Sequence, residues 1–356
     1  MILKKFLLLS LFLFSIFSMG CSRVSDEEVN KVVEEEIQNQ VYVEGGTFQF
    51  GDVNHLSYNE NDDILREITL SGYSISKYEV TKENFYVYLK DVGRYSDYAD
   101  DDFIYGGTQL KELNYEKRYD YNYYRKPMQA PSWYEASGYC SWLAEKTGKP
   151  FALPTEVQWE FAARSRGRNV KWAASEEMEI YWEVDDYYKW PDESRERELK
   201  EDKETEPKGY AYLRKSTTNQ TRPVGSYPPN PLGLYDMLGN VAEWTADYYQ
   251  EDYAKYADSV DPIGPSESKS YYSDWLFDMA RTTGDGRPKG EVEEEIRIFL
   301  TKNNIEDSPL RTTKDSGGYG GVDIPSTNIV SSRFGVEENN PFFGLRCVVN
   351  SDKPVN

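Results

Sequence analysis

The hydrophobic pattern changes character twice before residue 50. Lys4 and Lys5 precede an almost unbroken apolar run from Phe6 to Phe17. A run of about a dozen apolar residues is too short to cross a bilayer, whose core needs roughly twenty. With its basic start it has the length and flanks of a secretory signal peptide, so residues 1–20 are read as one. From Asp26 to Gln40 the chain turns acidic, with Val29, Val33 and Ile37 four apart. That thin helical stripe predicts a solvated spacer over 21–40. Val41-Tyr42-Val43 before Gly45-Gly46 starts a strand-and-turn pattern, and 67–70 and 73–76 alternate as further strands. Thr81 is placed to cap a helix through Phe85, Tyr88 and Leu89. Ser132 caps a second through Ala136, Tyr139, Cys140 and Leu143, stopped by Gly148. Thr155 and Gln158 form a capping-box pattern for a third, running to Arg164. A fourth is predicted at 291–300.

Three stretches break this pattern, at about 94–126, 176–208 and 266–313, and read as insertions or long loops. The first carries Tyr95, Tyr98, Tyr105, Tyr115, Tyr119, Tyr121, Tyr123 and Tyr124. These tyrosines either form an adhesive, glycan-stacking surface or cover the domain's own core. The acidic run from Asp192 to Glu206 reads as a solvated loop. Short strands, few helices and many turns argue for an α+β fold with much irregular structure. The 15% aromatic content agrees, because large flat side chains cover core that regular elements leave open. No internal repeat stands out.

The net charge of -21 repels phosphate backbones and argues against nucleic-acid binding. It also disfavours broad docking on anionic lipid. Ser18-Met19-Gly20-Cys21 closes the apolar run and resembles a bacterial lipobox, in which the cysteine is acylated and becomes the new N-terminus. The alternative is an ordinary signal cleaved nearby, with Cys21 incidental. A lipid on Cys21 would be the membrane contact, and Ser22 in place of aspartate favours the outer membrane. Two other cysteines remain, Cys140 and Cys347, which make one pair in an oxidising compartment. A bridge would close a loop of about two hundred residues, worth roughly 4–5 kcal/mol in the chain-entropy model. Spacing alone does not show that the two meet.

Several ordered blocks resemble one family, the formylglycine-generating (sulfatase-modifying-factor) enzymes. They begin with residues 41–51 and Tyr78-Glu79-Val80-Thr81. Pro131-Ser132-Trp133-Tyr134-Glu135-Ala136 and Tyr139-Cys140-Ser141-Trp142-Leu143 follow. Next come Leu153 to Arg164 and Gly233 to Trp244, then Asp261 to Pro265, Gly320-Gly321 and Gly344-Leu345-Arg346-Cys347. The resemblance implies a single C-type-lectin-like α+β domain over 41–350 with a tail at 351–356. It also implies a structural disulfide between Cys140 and Cys347.

The family's enzymes hold copper between two cysteine thiolates, a site suited to soft ligands. Here the corresponding stretch, Gly317 to Phe343, contains no cysteine. That implies no copper and no catalytic residues of the known kind. An iron-binding branch uses several histidines, whereas this chain has only His55, in a polar, turn-like context. What the resemblance retains is a calcium turn, with Asp236 and Glu243 as side-chain ligands and Gly239 and Val241 as carbonyl ligands. Oxygen donors of this kind suit calcium; the alternative is an acidic turn satisfied by backbone amides and water. Ala242 stands where the family usually has tryptophan. Asp100-Asp101-Asp102 lacks a ligand pattern and reads as a solvated loop. Arg164 and Arg346 are expected to pair with internal carboxylates. The expected function is an exported lipoprotein, non-catalytic, binding a protein or glycan partner at the cell envelope; the competing one is an enzyme of altered chemistry. Lipoproteins and lectin-like ligand-binding proteins of this same fold exemplify the first.

Overall fold

The computed structural model describes residues 24–53, 64–95, 122–130, 132–170, 173, 221–265, 267–268, 271, 273, 289–303, 307–314, 330–340 and 343–356. Cys21, His55, Asp100 to Asp102, the Asp192–Glu206 run and most of the tyrosine-rich insertion lie outside them. Among the described residues no helix is long and apolar enough to cross a membrane.

The chain opens with α1 (Asp26–Gln38), capped by a reciprocal Ser25–Glu28 capping box. The strands β1 (Gln40–Val43), β2 (Gly46–Phe50), β3 (Arg66–Leu70) and β4 (Tyr73–Ser76) follow, then helix α2 (Lys82–Asp91). Thr81 caps α2 through its side chain, as its position predicts. Helix α3 (Trp133–Thr147) starts at Ser132 and stops at Gly148, whose left-handed φ of 65° closes it. After β5 (Phe151–Ala152) comes α4 (Glu156–Ala163), with the Thr155–Gln158 capping box in place. The remainder comprises β6 (Glu243–Tyr248), the short α5 (Tyr253–Tyr256), α6 (Lys289–Asn303), β7 (Leu310–Lys314), β8 (Arg333–Glu337) and β9 (Val348–Val349).

The antiparallel sheet β1-β4-β9-β5 lies at the centre. Successive strand residues point to opposite faces, and here both faces are covered. Val349 joins one buried cluster with Phe85, Tyr139, Leu143 and Trp244, while Val348 joins another with Ile75, Trp159, Phe161 and Leu234. A hairpin of β2 and β3 and a β6-β7-β8 sheet complete the mixed fold. Cys140 of α3 and Cys347 just before β9 form a disulfide spanning 207 positions, buried inside the first cluster. This is the pairing that the resemblance implied.

Three boundaries differ from expectation. The acidic N-terminal stretch is helical but not a solvated spacer, because α1 buries Val29, Val32 and Glu36 and packs against α2 and α3. Tyr139 donates to Glu36 at 2.8 Å and Asn84 at 3.1 Å, which gives the buried carboxylate its partners. The last residues are likewise held: Asn356 donates to the Gln40 carbonyl at 2.8 Å, and Tyr42 donates to that of Asp352 at 2.7 Å. Finally, the third insertion ends before 313, since β7 is the middle strand of its sheet. Of the tyrosines in the first insertion, Tyr123 is buried and Tyr124 half-exposed, both in contact with neighbouring rings or cations.

Candidate functional site

Two buried polar arrangements occupy the region where the recognisable sequence blocks meet. The first is the turn from Asp236 to Val241, which enters β6. Asp236 (φ 54°), Gly239 (φ 87°) and Asn240 (φ 64°) all take left-handed backbone conformations. Asp and Asn tolerate that region better than other side chains do. Gly344 must be glycine here: a Cβ on it would lie 2.3 Å from Val241 Cγ2. That close approach lets the Gly344 amide donate to the Ala242 carbonyl and brings Arg346 under the turn.

Arg346 and Glu243, both fully buried, form a bidentate pair, with Nη2 2.6 Å from Oε1 and Nε 2.7 Å from Oε2. Trp159 Nε1 donates to the same carboxylate at 2.9 Å. The guanidinium also donates to the carbonyls of Ser76 and Tyr235. Asp236 accepts from the Gly225 amide at 2.7 Å. Glu79 accepts from the Asn240 side chain at 2.6 Å and from the Val241 amide at 3.2 Å. Three carboxylates thus surround one guanidinium. Burial, then the charges of Asp236 and Glu243, push the Glu79 carboxyl well above its ordinary range. Burial likewise raises Asp236 to about 6, against the pull of the Gly225 amide and Arg346.

Three of the four expected calcium positions therefore lie in this turn and the fourth, Glu243, opens β6; all four offer oxygen donors of the type calcium takes. The cluster carries more negative than positive groups, which a cation or bound protons would balance. The side-chain arrangement is less open: Glu243 is engaged by Arg346 and Trp159. Among the described residues no three His, Cys, Asp or Glu groups stand together as metal ligands. A cation here would draw on Asp236 and the carbonyls of Gly239 and Val241, and would compete with Arg346 for Glu243.

The second arrangement clamps the base of the segment between β7 and β8. Lys314 and Arg333 are cross-strand partners at its two ends. Both are buried, and both are held from α4 by carboxylates one helical turn apart. Glu156 takes Arg333 in a bidentate pair at 2.5 and 2.9 Å. Glu160 takes Lys314 at 3.1 Å and Arg164 at 2.9 Å, and also accepts from the Gly51 amide. Beside Glu156, Asp247 accepts from the Glu156 amide at 2.7 Å, while its Oδ1 has no hydrogen-bond partner among the described residues. Burial first, then the Glu156 charge, raise its carboxyl to about 7.

Arg164 and Arg346 thus pair with carboxylates as expected. Sequence reasoning missed Glu79, Glu156, Glu160, Lys314 and Arg333. Glu79, Glu156 and Glu160 lay within the resembling blocks, but nothing local distinguished them from surface acids. The clamped segment overlaps the stretch, Gly317 to Phe343, where the resemblance places the family's copper cysteines. This chain has no cysteine between Cys140 and Cys347, and those two are bonded to each other. The residues present do not fit a copper–thiolate site.

A disulfide-stapled α+β domain of short strands, with an arginine-anchored acidic turn leading into β6, is of the sulfatase-modifying-factor-like class. The chain belongs to that family: the sulfatase-modifying factor enzyme 1-like domain matches residues 25–351. Among curated proteins, it is 29% identical over 254 residues to "Serine/threonine-protein kinase pkn1" of Chlamydia caviae, covering 69% of this chain but 34% of that protein. The chain therefore spans about a third of that relative's length. It is 26% identical over 242 residues to "Inactive C-alpha-formylglycine-generating enzyme 2" of Bos taurus, covering 60% of this chain and 71% of that one. Among solved structures, PvdO from Pseudomonas aeruginosa superposes with a TM-score of 0.50 at 18% identity, covering 87% of this chain and 93% of the other, a likeness of fold alone.

Proposed function

We propose that this protein is an exported lipoprotein, acylated at Cys21, whose sulfatase-modifying-factor-like domain binds a protein or glycan partner at the cell envelope, with the outer membrane preferred. On this reading it does not carry out copper-dependent formylglycine chemistry. The observation that carries the reading is the cysteine account: Cys140 and Cys347 are spent in a buried disulfide, and no other thiol lies in the segment between β7 and β8. The buried pairs that hold Lys314 and Arg333 to α4 support a binding role, since binding residues are commonly carried between positions fixed by a rigid scaffold. Copper titrated into the purified domain should give no thiolate charge-transfer band; such a band would overturn the reading. Metabolic labelling with a fatty acid should mark the wild-type protein and not Cys21→Ser.

We further propose that calcium, where bound, is structural and sits at Asp236, Gly239, Val241 and Glu243. Its support is the excess of carboxylates over cations in the turn. Millimolar calcium should then raise the melting temperature of wild type, and much less that of Asp236→Asn. An equal response in both would remove the turn from consideration.

A further inference from the structure

The start of the folded domain falls very close to the proposed acylation site. Val24 already packs against the first core cluster, and Ser25 caps α1. Only residues 22 and 23 separate Cys21 from Val24, so the two Cα atoms lie at most about 11 Å apart. Had 21–40 been an extended spacer, it would have reached roughly 65 Å. The folding of α1 onto α2 and α3 removes that reach. The start of α2 lies against the later turns of α1, where Asn84 bonds Glu36 and Glu83 pairs with Lys31. Thus α2 runs back along α1 toward its first turn, and Val92, just past the end of α2, is exposed. Lys146 of α3 reaches the same helix end, paired with Asp91 at 2.7 Å.

We propose that the surface formed by the first turn of α1 and the end of α2 around Val92 faces a lipid bilayer, so that the domain rests on the membrane instead of standing away from it. The proposal depends on the acylation of Cys21 argued above. Length commits the occupant: an acyl-anchored cysteine at the head-group level leaves no room for a partner protein between this end of the domain and the lipid. Attraction is not required, and the exposed acidic side chains of Asp26, Glu27 and Glu28 offer none to an anionic surface. The rest of the domain, including the clamped β7–β8 segment, is left for other partners.

The test uses full-length lipidated protein in phosphatidylcholine vesicles. A fluorophore is placed on Val92→Cys or, for comparison, on Ile263→Cys, an exposed position in a loop beside the second core cluster. Vesicles containing a spin-labelled phosphatidylcholine should quench the probe at 92 several-fold more than the probe at 263. Equal quenching in protein that floats with the vesicles would overturn the membrane-facing surface and leave the anchor intact. Flotation of Cys21→Ser as complete as that of wild type would overturn the anchor, and the surface with it. Quenching at 92 that disappears on binding of a second copy at higher protein density would assign this face to self-association and also overturn the proposal.

Discussion

Glu243 and Arg346 are buried to the same degree and bound through three hydrogen-bonded contacts, so neither charge tolerates loss of the other. Removing one partner of such a pair costs about 3–5 kcal/mol, because the remaining charge stays desolvated. Arg346→Ala removes the buried guanidinium that faces Glu243, Glu79 and Asp236, so its cost should lie at the upper end, read from urea denaturation. The exposed Lys31–Glu83 pair, at 3.7 Å, is a contrasting case. Lys31→Ala should change stability by less than about 1 kcal/mol. Asp247 gives a pH signature. Its folded-state carboxyl titrates at about 7, above the ordinary 3.8. A raised acid favours the folded state fully below the ordinary value, and that advantage disappears as pH rises to about 7. Stability should therefore decline from this source between roughly pH 4 and 7. Asp247→Asn keeps an acceptor for the Glu156 amide and should flatten that slope, as thermal melts across the range would show.

At the scale of elements, α4 acts as a two-toothed clamp. Glu156 and Glu160 stand one turn apart on the same helix and hold the two ends of the β7–β8 segment through Arg333 and Lys314. The helix itself depends on its start, where Thr155 and Gln158 bond each other's backbone amides. Thr155→Ala should cost about 1 kcal/mol. Glu160→Gln should cost more, since it leaves Lys314 and Arg164 to share a neutral acceptor. The caps were legible because they are local: a Ser or Thr three residues before a Glu or Gln describes its own hydrogen bonds. The clamp was not legible. Its partners are 154 and 177 positions apart, and two glutamates on a helix look the same in sequence whether they face water or a buried cation.

Across the whole molecule, the disulfide joins α3 to the residue just before β9, an inner strand of the central sheet. It is buried in the first core cluster, so reductant should reach it only when the domain opens. Reduction, or Cys140→Ala with Cys347→Ala, should lower stability by up to about 5 kcal/mol in the chain-entropy model, measured under denaturing titration. No loss on reduction would mean that the bridge does not constrain the unfolded chain. The N-terminal helix is the element most changed by the tertiary structure. Its stripe of Val29, Val33 and Ile37 predicts a solvated spacer; the domain instead buries Val29, Val32 and Glu36, and supplies Tyr139 and Asn84 as donors to the glutamate.

By itself, the sequence determined the α+β class, the helix starts, the order of the blocks and the lack of cysteine from Gly317 to Phe343. Each of these is written in short-range patterns or in composition. Only the tertiary structure decided that α1 belongs to the domain, that Glu243 serves Arg346, and that α4 holds the base of the β7–β8 segment. Those outcomes depend on which buried charges meet across distant parts of the chain, and a carboxylate's partner is set by packing, not by its neighbours in sequence.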